Sequence, residues 1–276
     1  MNITPLTASF GAEISGLSLH NGLGANDAKA LRVALLKHKV LIFRDVSPEP
    51  GVHVSIGKAL GKLAPPHPMY QKVPDYEDII IIRNDPDNPP ENEVWHSDLS
   101  CYPDPPFAAV LHGVHLPPVG GDTLWVNMAA IAANLSEPMH KMLEGLTALH
   151  SLKKGFDFVH EYGQQDRADA LAGADQADHQ ASHPVLRKHP VTGELAVYVN
   201  ESFTVRINEL PPAESTHLLD CLYDMARNPR FQMRLKWTPG TVAIWDNWAT
   251  QHFACGDHYP AFREVQRVTV HQPHLS

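Results

Sequence analysis

Residues His96 and Asp98 stand one residue apart in the stretch Trp95-His96-Ser97-Asp98. In an extended segment the period of two puts both side chains on one face, within reach of a single ion. A neutral imidazole nitrogen and an ionised carboxylate oxygen suit Fe(II), Mn(II) or Zn(II). In a chain with 18 histidines such a pair also arises by chance, as a surface or hydrogen-bonded pair, so a third ligand decides the matter. The stretch Trp245-Asp246-Asn247-Trp248-Ala249-Thr250-Gln251-His252 offers one. Alone, His252 reads as a hydrogen-bonded core histidine; with His96 and Asp98 it completes a 2-His-1-carboxylate set. Such a facial triad leaves three positions of an iron open, two for a chelating 2-oxoacid and one for O2.

Eleven residues beyond His252, Arg263-Glu264-Val265-Gln266-Arg267 begins a strand. Arg263, Val265 and Arg267 share parity and point one way, Thr269 continues that face, and Val268 and Val270 occupy the other. Two settings fit: an edge face with solvated charges, or a barrel interior in which buried guanidinium groups require anionic partners. Parity does not choose between them. The planar donor fork of arginine suits a carboxylate or a sulfonate.

The elements that must position these groups read mainly as strands. Val40 to Phe43, the β-branched Asp78 to Ile82, Phe107 to Leu116, Thr123 to Val126, Phe231 to Trp237, Thr241 to Asp246 and Glu264 to His271 are expected strands. Pro184 to Asn200 reads as a hairpin around Thr192-Gly193. Helices are expected from Asn26 or Asp27 through His38, from an opening at Pro48, Glu49 and Pro50 with Val52, Ile56 and Leu60 on one side, and over Ala213 to Ala226. A fourth begins at Pro138, with Met139, Met142, Leu143, Leu146 and Leu149 at helical spacing and the methionines in the core. Pro65, Pro66 and Pro68 keep the segment around His67 and Tyr70 irregular, and Asp85 to Asn92 is a loop leading into the opening motif. Residues 155–183 show no sheet pattern and read as a helical or mobile lid insertion. No repeat and no linker divides residues 1–276, so a single mainly β (α+β) domain is expected, a barrel or double-sheet jelly roll with flanking helices.

Composition narrows the function. A net charge of −9 disfavours nucleic acid and anionic membranes as partners. The N-terminus has no basic region followed by a long apolar run, and no apolar run is long enough to span a bilayer. Cys101, Cys221 and Cys255 are odd in number and widely spaced, which fits a reducing cytoplasm better than a disulfide framework or a thiolate zinc cage. Gly22-Leu23-Gly24 lacks the third glycine of a dinucleotide site, there is no P-loop and no Gly-x-Ser-x-Gly elbow, and His160-Glu161-Tyr162-Gly163-Gln164 lacks the second zincin histidine.

With these residues in hand the chain resembles the Fe(II)/2-oxoglutarate dioxygenases of the taurine dioxygenase family over nearly its whole length. The resemblance rests on Trp95-His96-Ser97-Asp98, Gly120-Gly121-Asp122-Thr123-Leu124-Trp125, Ala243-Ile244-Trp245-Asp246-Asn247, Gln251-His252 and the Arg263/Arg267 pair. Ile3-Thr4-Pro5-Leu6 and Gly11 to Gly16 also match. It implies a double-stranded β-helix, iron held by His96, Asp98 and His252, and 2-oxoglutarate held at its distal carboxylate by Arg263 with Thr123.

The resemblance also implies a substrate. Taurine-specific members hold the sulfonate with a histidine and a second arginine, positions matched here by His67 and Arg267. Tyr70, Asn92, Phe156 and Phe203 match positions around the rest of the ligand. Gly155 stands where those members carry a serine, and Glu91 where they carry an aspartate, so the amine end departs from the pattern. The implied reaction is hydroxylation of taurine beside its sulfonate, with O2 and 2-oxoglutarate consumed and sulfite, aminoacetaldehyde, succinate and CO2 released. Another alkylsulfonate, an alkyl sulfate ester or an aryloxyalkanoate is the alternative substrate. A zinc hydrolase with the same ligands and a non-catalytic anion-binding barrel are the rival classes. A homo-oligomer, dimer or tetramer, is expected.

Overall fold

The strand-forming runs pair mostly with segments far away in sequence. The structure, a computed structural model, describes residues 1–17, 19, 23–67, 69–90, 93–155 and 179–274. Among them a nine-stranded sheet has at its centre Val40–Phe43, Val242–Asp246, Ala108–His115, Arg263–Pro273 and Tyr76–Asn84, adjacent in that order. A second sheet places Thr123–Asn127 between Gln232–Leu235 and Thr250–Ala254. Across the second sheet His252 stands opposite Trp125 and Ala254 opposite Thr123. The two sheets face each other, as a double-stranded β-helix requires.

Alternation along each strand builds three layers. Val40, Ile42, Ala109, Leu111, Ala243, Trp245 and Val265 of the large sheet meet Trp125, Met233 and Leu235 of the small one. Trp125 and Trp245 are fully buried there, with ring centroids 5.8 Å apart, and burial of an aromatic side chain stabilises by about 2 kcal/mol or more. The opposite parity, Leu41, Phe43, Val110, Ile244, Val268 and Val270, packs under the helices Ala25–His38 and Pro50–Leu60. Beyond the small sheet, Val126 packs with helices Met128–Ala133 and Pro212–Ala226. The helix expected through Leu149 ends at Leu143, because Gly145 turns the chain with φ +83° and Thr147–Ser151 runs on as a strand. Met142 on that helix is exposed rather than core, with 56 % of its surface accessible.

Of the stretch 155–183, residues 155 and 179–183 are among the described residues. Residues 156–178, which carry most of the expected lid, lie outside the described residues. Its end corrects the expectation of no sheet: Gln180–Pro184 is a strand, paired with Thr147–Ser151, which pairs on its other side with Thr204–Ile207. Its inward positions, Ala181 and His183, are small or polar, so the run has no β-branched signature. The hairpin around Gly193 forms as expected, pairing Leu186–Lys188 with Leu195–Val197.

Two core histidines give the fold a pH dependence. His53 and His150 are buried, and desolvation pushes their pKa values from 6.5 down to about 4 and about 3. Between pH 6.5 and about 4 the unfolded chain therefore binds protons that the folded chain refuses, so stability falls as pH falls through that window. Each histidine removes roughly 1 kcal/mol by pH 5.5. Calorimetry should show Tm falling by about 5 °C or more between pH 7 and pH 5; a flat profile would contradict this.

Candidate metal centre and anion cavity

His96, Asp98 and His252 converge, with one ligand atom from each lying within 4.8 Å of the others. His96 and His252 exchange backbone hydrogen bonds in an isolated bridge, with N···O distances of 3.1 and 2.8 Å. Their rings lie 4.0 Å apart between centroids. Asp98 is not on an extended face with His96; the chain turns at Asp98. Even so, its Oδ1 comes 3.9 Å from Nε2 of each histidine. His96 Nδ1 hydrogen-bonds Val94 O at 2.9 Å; as the donor there it leaves Nε2 a lone pair aimed at the cluster.

The electrostatics favour a cation at this point. Burial lowers the pKa of both histidines, holding them neutral at pH 7. Burial raises the Asp98 carboxyl, but Arg267 and the two histidines outweigh it and hold the value at about 2. Two neutral imidazoles and one carboxylate are a donor set that fits Fe(II).

The inward setting of the arginines is now decided. Val265, between them in parity, packs against the tryptophans of the inner core. Arg263 and Arg267 line a cavity of about 50 Å³ with Thr123, His96, His252 and Trp245. Arg267 Nη1 donates to Asp98 Oδ2 at 2.9 Å, leaving Oδ1 toward the histidines. Arg263 is 4 % exposed, its Nε has no hydrogen-bond partner, and among the described residues it makes no ion pair. Gly121, with φ +70°, lets the chain lie close to it: a Cβ there would sit 3.0 Å from Arg263 Cδ. Thr123 Oγ1 accepts from Trp237 Nε1 at 3.0 Å, which orients the hydroxyl at the cavity wall.

Further out, His67 is next to the Arg267–Asp98 pair. Burial, then the Arg267 charge, push its pKa down to about 4, against the pull of Asp98. Its ring meets Tyr70 edge-on at 5.8 Å. Tyr70 packs in turn against an apolar cluster of Met69, Cys101, Leu152 and Phe203. Gly155 lies directly on the Phe203 ring, in space that any Cβ at residue 155 would need. Asn92, its neighbour Glu91, and Phe156 lie outside the described residues.

Asn247 had no role in the sequence reading although it stood inside a matched motif. Its Oδ1 accepts the Asp98 N–H at 2.7 Å, and its Nδ2 donates to Asp98 O at 2.9 Å and Pro106 O at 3.0 Å. Ser97 Oγ likewise donates to Thr250 O at 2.9 Å. An asparagine at a strand end, one residue after a buried aspartate, was the available signal.

The family described as "Taurine catabolism dioxygenase TauD, TfdA family" matches residues 2–269. An alpha-ketoglutarate-dependent sulfate ester dioxygenase of Pseudomonas putida is 31 % identical over 278 residues, covering 98 % of this chain and 89 % of that protein. An alkylsulfatase of Acinetobacter baylyi is 28 % identical over 271 residues, covering 98 % and 84 %. The crystal structure of a putative alpha-ketoglutarate-dependent taurine dioxygenase from Burkholderia xenovorans superposes with a TM-score of 0.83 at 33 % identity, covering 98 % of this chain and 92 % of that one. No helix among the described residues is long and apolar enough to cross a membrane.

Proposed function

This chain belongs to the TauD/TfdA family and is a 2-oxoglutarate-dependent dioxygenase using Fe(II) and O2, and from that premise we propose that it hydroxylates the carbon bearing the sulfonate or sulfate group of a small organic anion. In this reading His96, Asp98 and His252 hold the iron, Arg263 and Thr123 hold the distal carboxylate of 2-oxoglutarate, and Arg267 with His67 receives the sulfo group. The cofactor supplies the oxidising chemistry, one oxygen atom entering the substrate while 2-oxoglutarate becomes succinate and CO2. The hydroxylated carbon then carries both a hydroxyl and the sulfo group. Loss of the hydroxyl proton with departure of the sulfo group gives an aldehyde, with sulfite from a sulfonate or sulfate from an ester.

The observation that carries the reading is the pair of inward arginines beside the triad, one without an ion pair among the described residues and one bound to Asp98 beside His67. His67 is neutral at pH 7 and can hydrogen-bond a sulfo oxygen while Arg267 supplies the charge. Tyr70 and Phe203 form the tail wall, and Asn92 and Phe156 are assigned beside them from the resemblance. Taurine meets the requirement at the sulfonate end. At the other end, the Phe203 ring fills the space that a serine at 155 would need, and Met69, Cys101 and Leu152 back it. That wall favours an alkyl tail over the ammonium of taurine. Three widely spaced cysteines, odd in number, suit work in the cytoplasm.

A panel of taurine, 1-hexanesulfonate, hexyl sulfate and an aryloxyacetate, each with Fe(II), 2-oxoglutarate and O2, tests the assignment. Succinate should form in step with sulfite or sulfate, faster with the hexyl compounds than with taurine. Turnover of the aryloxyacetate alone would overturn the sulfo assignment. Release without O2 and 2-oxoglutarate would point to hydrolysis instead.

A further inference from the structure

Asp98 is followed by a strained residue. Leu99 has φ +51°, in the left-handed region that residues with side chains seldom adopt. Such a conformation persists where its surroundings over-determine it, and here they do so from two sides. On one side Asn247 takes both the N–H and the C=O of Asp98. On the other, a buried polar cluster borne on the three-stranded sheet of Thr147–Ser151 and its neighbours grips the residues after Leu99.

His183 Nε2 lies 2.9 Å from Ser100 O and 3.0 Å from Tyr102 O, so it carries the proton and donates to both. Ser100 Oγ accepts from Asn200 Nδ2 at 2.9 Å and lies 2.9 Å from His150 Nδ1. Asn200 Oδ1 accepts the Phe203 N–H at 2.8 Å. None of these side chains lines the cavity. Directional bonds in a buried network select one arrangement, which apolar packing of the same volume does not. What they select here is the path of the chain between the Asp98 carboxylate and the Phe203 wall.

We propose that Ser100, Asn200 and His183 are positioning residues for Asp98: they hold the turn at Leu99 and thereby set the carboxylate against His96 and His252. The inference rests on the triad being the metal site. Its test is titration of the purified protein with Mn(II) alone, free ion being read by electron paramagnetic resonance, at a temperature where circular dichroism shows each variant folded. Asp98→Ala should lose Mn(II) binding. Ser100→Ala, Asn200→Ala and His183→Leu should each weaken it by about tenfold, the scale on which supports of metal ligands act. His183→Gln, which keeps an N–H donor of similar reach, should return to within about threefold of the wild type. Retained binding in Asp98→Ala would overturn the metal assignment and the inference with it. Loss there, with unchanged affinity in Ser100→Ala and His183→Leu, would overturn the inference alone. Equal losses in His183→Gln and His183→Leu would also overturn it, since packing rather than the hydrogen bond would then be responsible.

Discussion

Replacing Asp98 with alanine is expected to remove 2-oxoglutarate turnover almost completely, by about 10³-fold or more, a loss well beyond the 10–100-fold typical of outer-shell residues. The carboxylate serves two partners at once. Its Oδ1 faces the two Nε2 atoms at 3.9 Å, and its Oδ2 accepts from Arg267 at 2.9 Å. Without it the histidines offer only neutral donors to a doubly charged ion. Arg267, whose side chain is 11 % exposed, becomes a nearly buried cation facing that ion. Both changes disfavour metal, so they add in sign. Succinate formation under saturating Fe(II) and 2-oxoglutarate measures the effect. Asp98→Asn separates charge from shape, since it preserves volume and the backbone bonds to Asn247 while removing the anion. If Asp98→Asn turned over within about tenfold of the wild type, the carboxylate could not be the iron's anionic ligand.

How far this site was legible in the chain depends on the range of the signal. His96, Asp98 and His252 announce themselves by residue type, and the Arg263/Val265/Arg267 parity placed both arginines on one face. Which face it was depended on strands elsewhere: Val268 and Val270 lie under the N-terminal helices, so Val265 and the arginines must face the second sheet. His96 and Asp98 do not share an extended face: the chain turns at Asp98, and its carboxylate still comes 3.9 Å from both histidines. The run Leu143, Leu146, Leu149 satisfies helical spacing yet crosses Gly145 into a strand, because a period of three across a glycine turn cannot be told from a helix by periodicity. The cluster of Ser100, His150, His183 and Asn200 joins positions 50 to 100 residues apart. Local patterning cannot register such contacts. Each of these residues alone reads as an ordinary polar side chain.

Arg263 gives the sharpest separation of function from stability, because its removal is expected to move the two in opposite directions. The side chain is buried, and desolvation brings its pKa down to about 10, so it remains a cation at pH 7. Asp122, an acidic group that supports its charge, already accepts from Arg234 Nε at 2.6 Å. A buried cation with so little compensation costs the folded protein free energy, and an apolar residue of similar length relieves that cost. Metal-free Arg263→Met should therefore melt a few degrees higher than the wild type, on the scale of 1–4 kcal/mol that such replacements yield (about 2 °C or more). In the working enzyme the same arginine would meet the distal carboxylate of 2-oxoglutarate in a two-pronged contact. Losing a buried charged partner of this kind costs 2–5 kcal/mol, so KM for 2-oxoglutarate should rise by about 10²-fold or more. Arg263→Lys keeps the charge without the planar fork and should fall between. Succinate formation against 2-oxoglutarate concentration, together with calorimetry of the metal-free variants, reads both arms. A structural arginine would lose stability on substitution and leave KM unchanged, and that result would remove Arg263 from the cosubstrate site.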